Sequence, residues 1–550
     1  MKKRNALLLA ALCAMAPESA ARLQDADQLG GWTVTRLDLD VVPFPDTRTV
    51  GVEGTMQVRL DGEASHGPTL VINSRKRLFR FVDLVAPSGA RVELDTDIPT
   101  LPQSVGACVS FEEPCATGTE LELIFVCESE GESAQFEVRE EIAFASWVEA
   151  WYPVPFDPER SLSSLLAAPG RTRLHLPEGW DAVTNGVRQA REATDGGVTV
   201  SFEVTQPVAR SFAAGPYHSA FHEVDGRQIG VYLLSESSLD VERHARMLSA
   251  ALAAQEERFG PYPYPSYAIA EVPESVRAFY ASSEQGFIMA RSSAFSWDHG
   301  NLPLWGHEMA HGWWGNLVGG DGPGGIVCNE SLAQLSAVIA IETVEGEEAA
   351  REFLRFSRPG YSSQQCARGY FQLWRNGTDK PLSQLESGGW EHTLSDSKGH
   401  WMYVMLRRRV GAERFYAGLR GLIDEYGGKR MTLDDLRAYF IALVPEAELE
   451  LFFEQWLDRT GAPILDVEWK PAEGGLDAVI TQTQPGKPYH LELEVAVDGS
   501  AGTDRTNVTL RARQTHVHLT AVGEPSAVRL DPDHQLLIWK PEYGPRPSSK

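Results

Sequence analysis

Short runs in which apolar and polar residues alternate fill the chain from about Leu29 to Glu223. Among them are WTVTRLDLDVV, TVGVEGTMQVRL, ELELIFV and QFEVREEIAFA, separated by turns of Gly, Pro and Asp. Successive side chains of a strand point to opposite faces, so this period of two predicts strands buried on one side. Residues 22–223 are therefore expected to form an all-β domain. From about Val224 the period lengthens. In LDVERHARMLSAALAAQEERF apolar residues recur at three and four, and the same spacing returns in AERFYAGLRGLIDEY, TLDDLRAYFIALV and LELFFEQWLDR. This is the period of a helix packed by one face, and it predicts a mostly helical domain over 224–461. Beyond Gly461 the segments PILDVEWK, LDAVITQTQ, HLELEVAV, NVTLRARQTHVHL and AVRLDPDHQLLIWK alternate again, predicting a second β domain of sandwich size over 462–550. The fold class read from these patterns is multidomain α+β.

A chain of 550 residues exceeds what one hydrophobic core usually organises, in keeping with several domains. Its first residues carry a separate message. Lys2, Lys3 and Arg4 precede the apolar stretch Ala6 to Ala16, and small residues follow up to Ala21. That order predicts a secretory signal over 1–21 and a periplasmic or secreted protein with no membrane anchor after cleavage. Five cysteines follow the signal, namely Cys108, Cys115, Cys127, Cys328 and Cys366. An exported protein could pair them, but an odd number leaves at least one thiol over and the connectivity open. The formal charge of −26 argues against nucleic acid as a partner. Oligomeric state is not legible.

The chemistry concentrates at His307-Glu308-Met309-Ala310-His311, followed after eighteen intervening residues by Glu330. On a helix, residues four apart share a face, so His307 and His311 can bind one ion while Glu308 is turned toward a water. Two imidazoles and a carboxylate are a catalytic zinc set, with one coordination position left for water. With 14 His and 76 acidic residues in 550 positions, chance supplies such a run roughly 0.05 times. The pattern predicts one zinc ion held by His307, His311 and Glu330, with Glu308 activating a zinc-bound water. Glu330 opens a second helical pattern, ESLAQLSAVIAIE, so two helices are expected to share the metal.

The run HEMAHGWWGN, with Asn329-Glu330 after it, resembles the gluzincin aminopeptidases of the aminopeptidase N (membrane alanyl aminopeptidase) family. Similar stretches are WYPVPFDPE, LPEGWDAVTNG, SFAAGPY, FGPYPYPSYAIAEVP, LSDSKGHWMYVML and FFEQWLDRTGAP, so the likeness spans about residues 30 to 470. It implies a thermolysin-like catalytic domain, peptide substrates, and removal of N-terminal residues. The family holds the substrate's amine with the glutamate of a GxMEN strand; Glu284, 23 residues before His307, stands in that place without the flanking Gly, Met and Asn. A tyrosine of the family donates to the oxyanion, and Asp396 stands there instead. An ionised carboxylate cannot donate, so the oxyanion region is expected to be altered, with His400 or Tyr403 on the same helix face as substitute donors. Tyr403 is expected to pack. Two other readings stand beside the aminopeptidase. One is a zinc endopeptidase of altered specificity, favoured by the changed GxMEN strand. The other is a zinc-containing peptide-binding protein with little turnover, favoured by Asp396.

Overall fold

The computed structural model describes residues 30–72, 78–97, 105–129, 132–157, 165–224, 226–234, 240–277, 279–296, 301–359, 361–386 and 388–547. The signal expected over 1–21 lies outside them. The chain divides into two compact units, one comprising residues up to Ser249 with Tyr264–Gly300, the other Ala250–Pro263 with Asn301–Lys550.

The first unit is β-rich. Its largest sheet has seven strands in the order Val187–Thr194, Gly197–Val208, Ala168–Pro177, Trp32–Phe44, Thr49–Leu60, Glu120–Ser129 and Phe79–Val85. Only Trp32–Phe44 and Ala168–Pro177 run parallel within it. The alternation seen in sequence is the alternation of burial: in Thr49–Leu60, Val50, Val52, Met56, Val58 and Leu60 face the core and their neighbours do not. Two four-stranded sheets accompany it.

A five-stranded sheet completes this unit, in the order Tyr217–Val224, Arg227–Leu234, Ser266–Val272, Phe287–Arg291 and Ala281–Glu284. It crosses the boundary expected at residue 224, where the sequence pattern points to helices. The reason lies in its centre. Ser266–Val272 is parallel to both neighbours and buried at every position, and a strand covered on both faces does not alternate.

Helix α1, Val241–Phe259, leads into the second unit. Within that unit α2, Leu302–Ala310, is buried along almost its whole length, and α3, Gly325–Glu345, is buried from Gly325 through Ile341 apart from Asn329 and Glu330. A helix apolar on every side belongs in the middle of a core. Shorter helices surround it. Of these, α4, Trp390–Leu394, continues through a π turn at Ser395–Gly399 into α5, His400–Val410. Two three-stranded sheets follow, ordered Leu465–Ala472, Gly475–Gln482, Gln514–Thr520 and Gly502–Leu510, Leu491–Gly499, Pro525–Leu530. The run NVTLRARQTHVHL thus breaks into two strands in different sheets. Among the described residues no helix is long and apolar enough to cross a membrane, and the five cysteines are free thiols.

Two glycines let the central helices touch. A Cβ on Gly306 of α2 would lie 2.9 Å from Ala340 Cβ and 3.3 Å from Ala337 Cα of α3. One on Gly399 would come 2.0 Å from Ser331 Oγ, the residue after Glu330. That hydroxyl is already committed, donating to the Ser395 carbonyl at 2.8 Å and lying 2.7 Å from Ser395 Oγ. Gly306→Val must therefore separate α2 from α3, and overpacking of this kind costs about 1–3 kcal/mol. A fall in stability of that size in denaturant unfolding is the expected result; an unchanged midpoint would show that the helices are not held at this distance.

Candidate metal centre

Helix α2 begins at Asn301, whose left-handed φ of 55° turns the chain in, and Pro303 fits the first turn because its missing N–H would bond to nothing there. His307 and His311 then fall on the face toward α3. Their Nε2 atoms lie 3.4 and 3.6 Å from Glu330 Oε2. Each ring is held from behind. His307 Nδ1 is 3.0 Å from Gln334 Oε1, one turn beyond Glu330, and His311 Nδ1 is 2.9 Å from the Trp314 carbonyl. Both partners are acceptors, so the proton sits on Nδ1 and the Nε2 lone pairs face the carboxylate. Tyr361 adds a layer by donating to Gln334 Oε1 at 2.6 Å.

This donor set fits zinc. Donors 2.0–2.1 Å from a tetrahedral ion are separated by about 3.4 Å, close to the spacings found. Glu330 Oε2 is buried without a hydrogen-bond partner among the described residues, although three imidazoles surround it. Burial works to raise the Glu330 carboxyl, but His311, His307 and His392 pull it well below the ordinary range. Burial likewise opposes charge on His307, yet Glu330 and the other carboxylates lift it to about 9. Glu308 is half-buried beside them; burial raises its carboxyl, with His307 and His311 pulling against.

Asn329 accepts from the Gly320 backbone N–H at 2.8 Å and so ties the strand Gly319–Asp321 to the start of α3. Trp313 and Trp314 are fully buried, and Trp313 donates to the Pro261 carbonyl at 3.2 Å. Both are packing residues.

The helix carrying Asp396 supplies an imidazole that the sequence reading missed. His392, four residues before Asp396, places Nε2 3.0 Å from Asp396 Oδ2 and 3.7 Å from Glu330 Oε2. Glu330, His392 and Asp396 thereby form a second close group adjoining the first. His400, the expected substitute donor, lies within the helix packing. It is fully buried with Nδ1 2.7 Å from the Asp396 carbonyl, a bond within its own helix, and burial lowers its pKa to about 4. Tyr403 packs as expected, donating to the Val327 carbonyl at 3.2 Å. The spacing of four between His392 and Asp396 was a usable signal, but it runs toward the N-terminus, and its relation to Glu330 arises only from tertiary packing.

Glu284 belongs to the first unit, at the end of the strand Ala281–Glu284. It is 1 % exposed, and its oxygens accept from Ser146 at 3.0 Å, Ser211 at 2.6 Å and Ser282 at 2.8 Å. Burial raises its pKa against these bonds. The carboxylate expected to hold a substrate's amine thus accepts from hydroxyls of its own unit.

Residues 244–456 match the model of the Peptidase family M1 domain. The chain is 25% identical to Aminopeptidase N of Lactobacillus delbrueckii subsp. lactis over 57% of its own length and 38% of that protein. It is 24% identical to Aminopeptidase M1-A of Oryza sativa subsp. japonica, covering 48% of the chain and 30% of the relative. With human Aminopeptidase O the identity is 22%, over 40% of the chain and 29% of the relative. The matches therefore span well under two thirds of these relatives. The helices that carry the imidazole and carboxylate cluster lie within this matched segment, and it is through residues 244–456 that the chain resembles peptidase family M1.

Proposed function

We propose that the protein is an exported zinc metallopeptidase that hydrolyses peptide bonds, acting as an aminopeptidase on the N-termini of peptides. The observation that carries this reading is the convergence of His307, His311 and Glu330 donors next to Glu308, with both rings fixed from behind. Bound there, zinc supplies a Lewis acid that polarises the scissile carbonyl and acidifies water. The rest of the chemistry belongs to side chains. Gln334 and the Trp314 carbonyl keep the two imidazoles in the ligating tautomer. Glu308 takes the proton from the attacking water as the O–C bond forms. It then passes that proton to the nitrogen as the C–N bond breaks, so it ends the cycle ionised again. The aminopeptidase mode is supported by the names of the relatives, and export by the Met1–Ala21 pattern. The net charge of −26 supports peptides over nucleic acid as partners.

The enclosure of Glu284 favours a second reading, an endopeptidase. A carboxylate already accepting three hydroxyl bonds has less to offer an ammonium.

His307→Ala or Glu330→Ala is expected to remove zinc, because three protein ligands leave no reserve. Glu308→Gln is expected to retain about one equivalent while losing hydrolysis, since it meets water and not the ion. Elemental analysis with a turnover assay reads both, and full zinc in the first two variants would refute the ligand set. Peptide pairs with a free or acetylated N-terminus separate the modes: the aminopeptidase cleaves only the free-amine member. Internal cleavage of both at similar rates would establish the endopeptidase instead.

A further inference from the structure

Glu308, Glu330 and Asp396 bring three carboxylates to one divalent ion, and the fully buried Asp396 has no part in holding it. We propose that Glu330, His392 and Asp396 form a second metal site, for a divalent ion of the zinc and cobalt class, which shares the Glu330 oxygen and fills after the first. The inference rests on the zinc reading above and adds an ion to it.

Three observations carry it. The first is spacing. His392 Nε2 is 3.0 Å from Asp396 Oδ2 and 3.7 Å from Glu330 Oε2, and the three donor atoms lie within 4.8 Å of one another. An ion about 2.0–2.2 Å from each fits among them. The second is that the donors fall into two groups and not one. His307, His311 and Glu330 make the first, Glu330, His392 and Asp396 the other, and only Glu330 belongs to both. The third is bonding capacity left over. Asp396 Oδ1 and Glu330 Oε2 are buried without a hydrogen-bond partner among the described residues. Buried carboxylate oxygens are unfavourable until a donor or a cation meets them. Gln365 steadies Asp396 by donating to Oδ2 at 2.5 Å, but a neutral amide brings no charge.

The hydrogen bond between His392 and Asp396 marks where the ion enters. A metal takes the place of the shared proton: Nε2 turns its lone pair to the ion, and the ring keeps a proton on Nδ1. Solvent reaches the ring, whose side chain is 44 % exposed. One imidazole with two carboxylates suits zinc or cobalt, whereas magnesium keeps its waters and favours oxygen throughout. This group offers one imidazole against two in the first, and ions sharing an oxygen stand about 3.5 Å apart. Repulsion at that distance makes the second ion the weaker one. Coupling is reciprocal, so its entry also loosens the first.

The test strips the full chain with a chelator and compares wild type with His392→Phe, Asp396→Asn and Glu330→Ala. Bound metal is measured by equilibrium dialysis against rising free zinc, and crystals soaked in excess zinc are read at the zinc edge. Wild type is expected to bind one equivalent tightly and a second more weakly, with a second peak between Glu330, His392 and Asp396. His392→Phe and Asp396→Asn should keep the first equivalent, which reports an intact centre, and lose the second with its peak. Glu330→Ala should lose both. Cobalt should replace zinc in the second step and magnesium should not. A single equivalent in wild type at saturating zinc would overturn the proposal. So would a second equivalent that survives both His392→Phe and Asp396→Asn, or loss of the first in His392→Phe, which would make His392 a ligand of that ion. If wild type binds no zinc, the zinc reading fails together with the second site; if it binds one equivalent alone, only the second site fails.

Discussion

The close approach of α2 to α3 governs the rest of the site. With no side chain at Gly306, the helix bearing His307 and His311 can lie against Ala337 and Ala340, within reach of Glu330. Gln255 on α1 reinforces the contact by donating to the Gly306 carbonyl at 2.6 Å. Buried imidazoles and a buried carboxylate are unfavourable unless each is paired. Here each ring is satisfied on its far nitrogen, and the near nitrogens and Glu330 face one another. Such a cluster is stable only when something positive fills it, whether protons or a divalent ion.

A second glycine contact extends the same logic to the helix of Asp396. Gly399 sits against Ser331, and Ser331 bonds to Ser395, so the π turn is fastened one residue from Glu330. Lys398, fully buried, fastens its other side by donating to the Arg459 carbonyl at 2.5 Å and lying over the Tyr370 ring. π turns recur where a helix must place a functional side chain off the ordinary register. In this chain the segment presents a carboxylate with a histidine attached, beside Glu330.

Much of this was legible in the sequence for a plain reason. Spacing along one helix is local information, so His307, Glu308 and His311 announce themselves, and the strands of the first unit alternate because one face of each is solvated. What was lost is tertiary. The buried parallel strand Ser266–Val272 carries no alternation, and the helical reading ran across it. The hydroxyls of Ser146 and Ser211 that bond Glu284 are distant in sequence, so its spacing to His307 does not announce them. His392 is unremarkable in the string EHTLSDS, because its meaning depends on the packing of α4 against α3 beside Glu330.

The account depends most on a single ion at a stated place. Anomalous diffraction at the zinc edge from crystals of the full chain carrying one equivalent of zinc locates it directly. The account predicts one peak within about 2.0–2.2 Å of His307 Nε2, His311 Nε2 and a Glu330 carboxylate oxygen. A peak between Glu330, His392 and Asp396, or none in protein supplied with zinc, would contradict it.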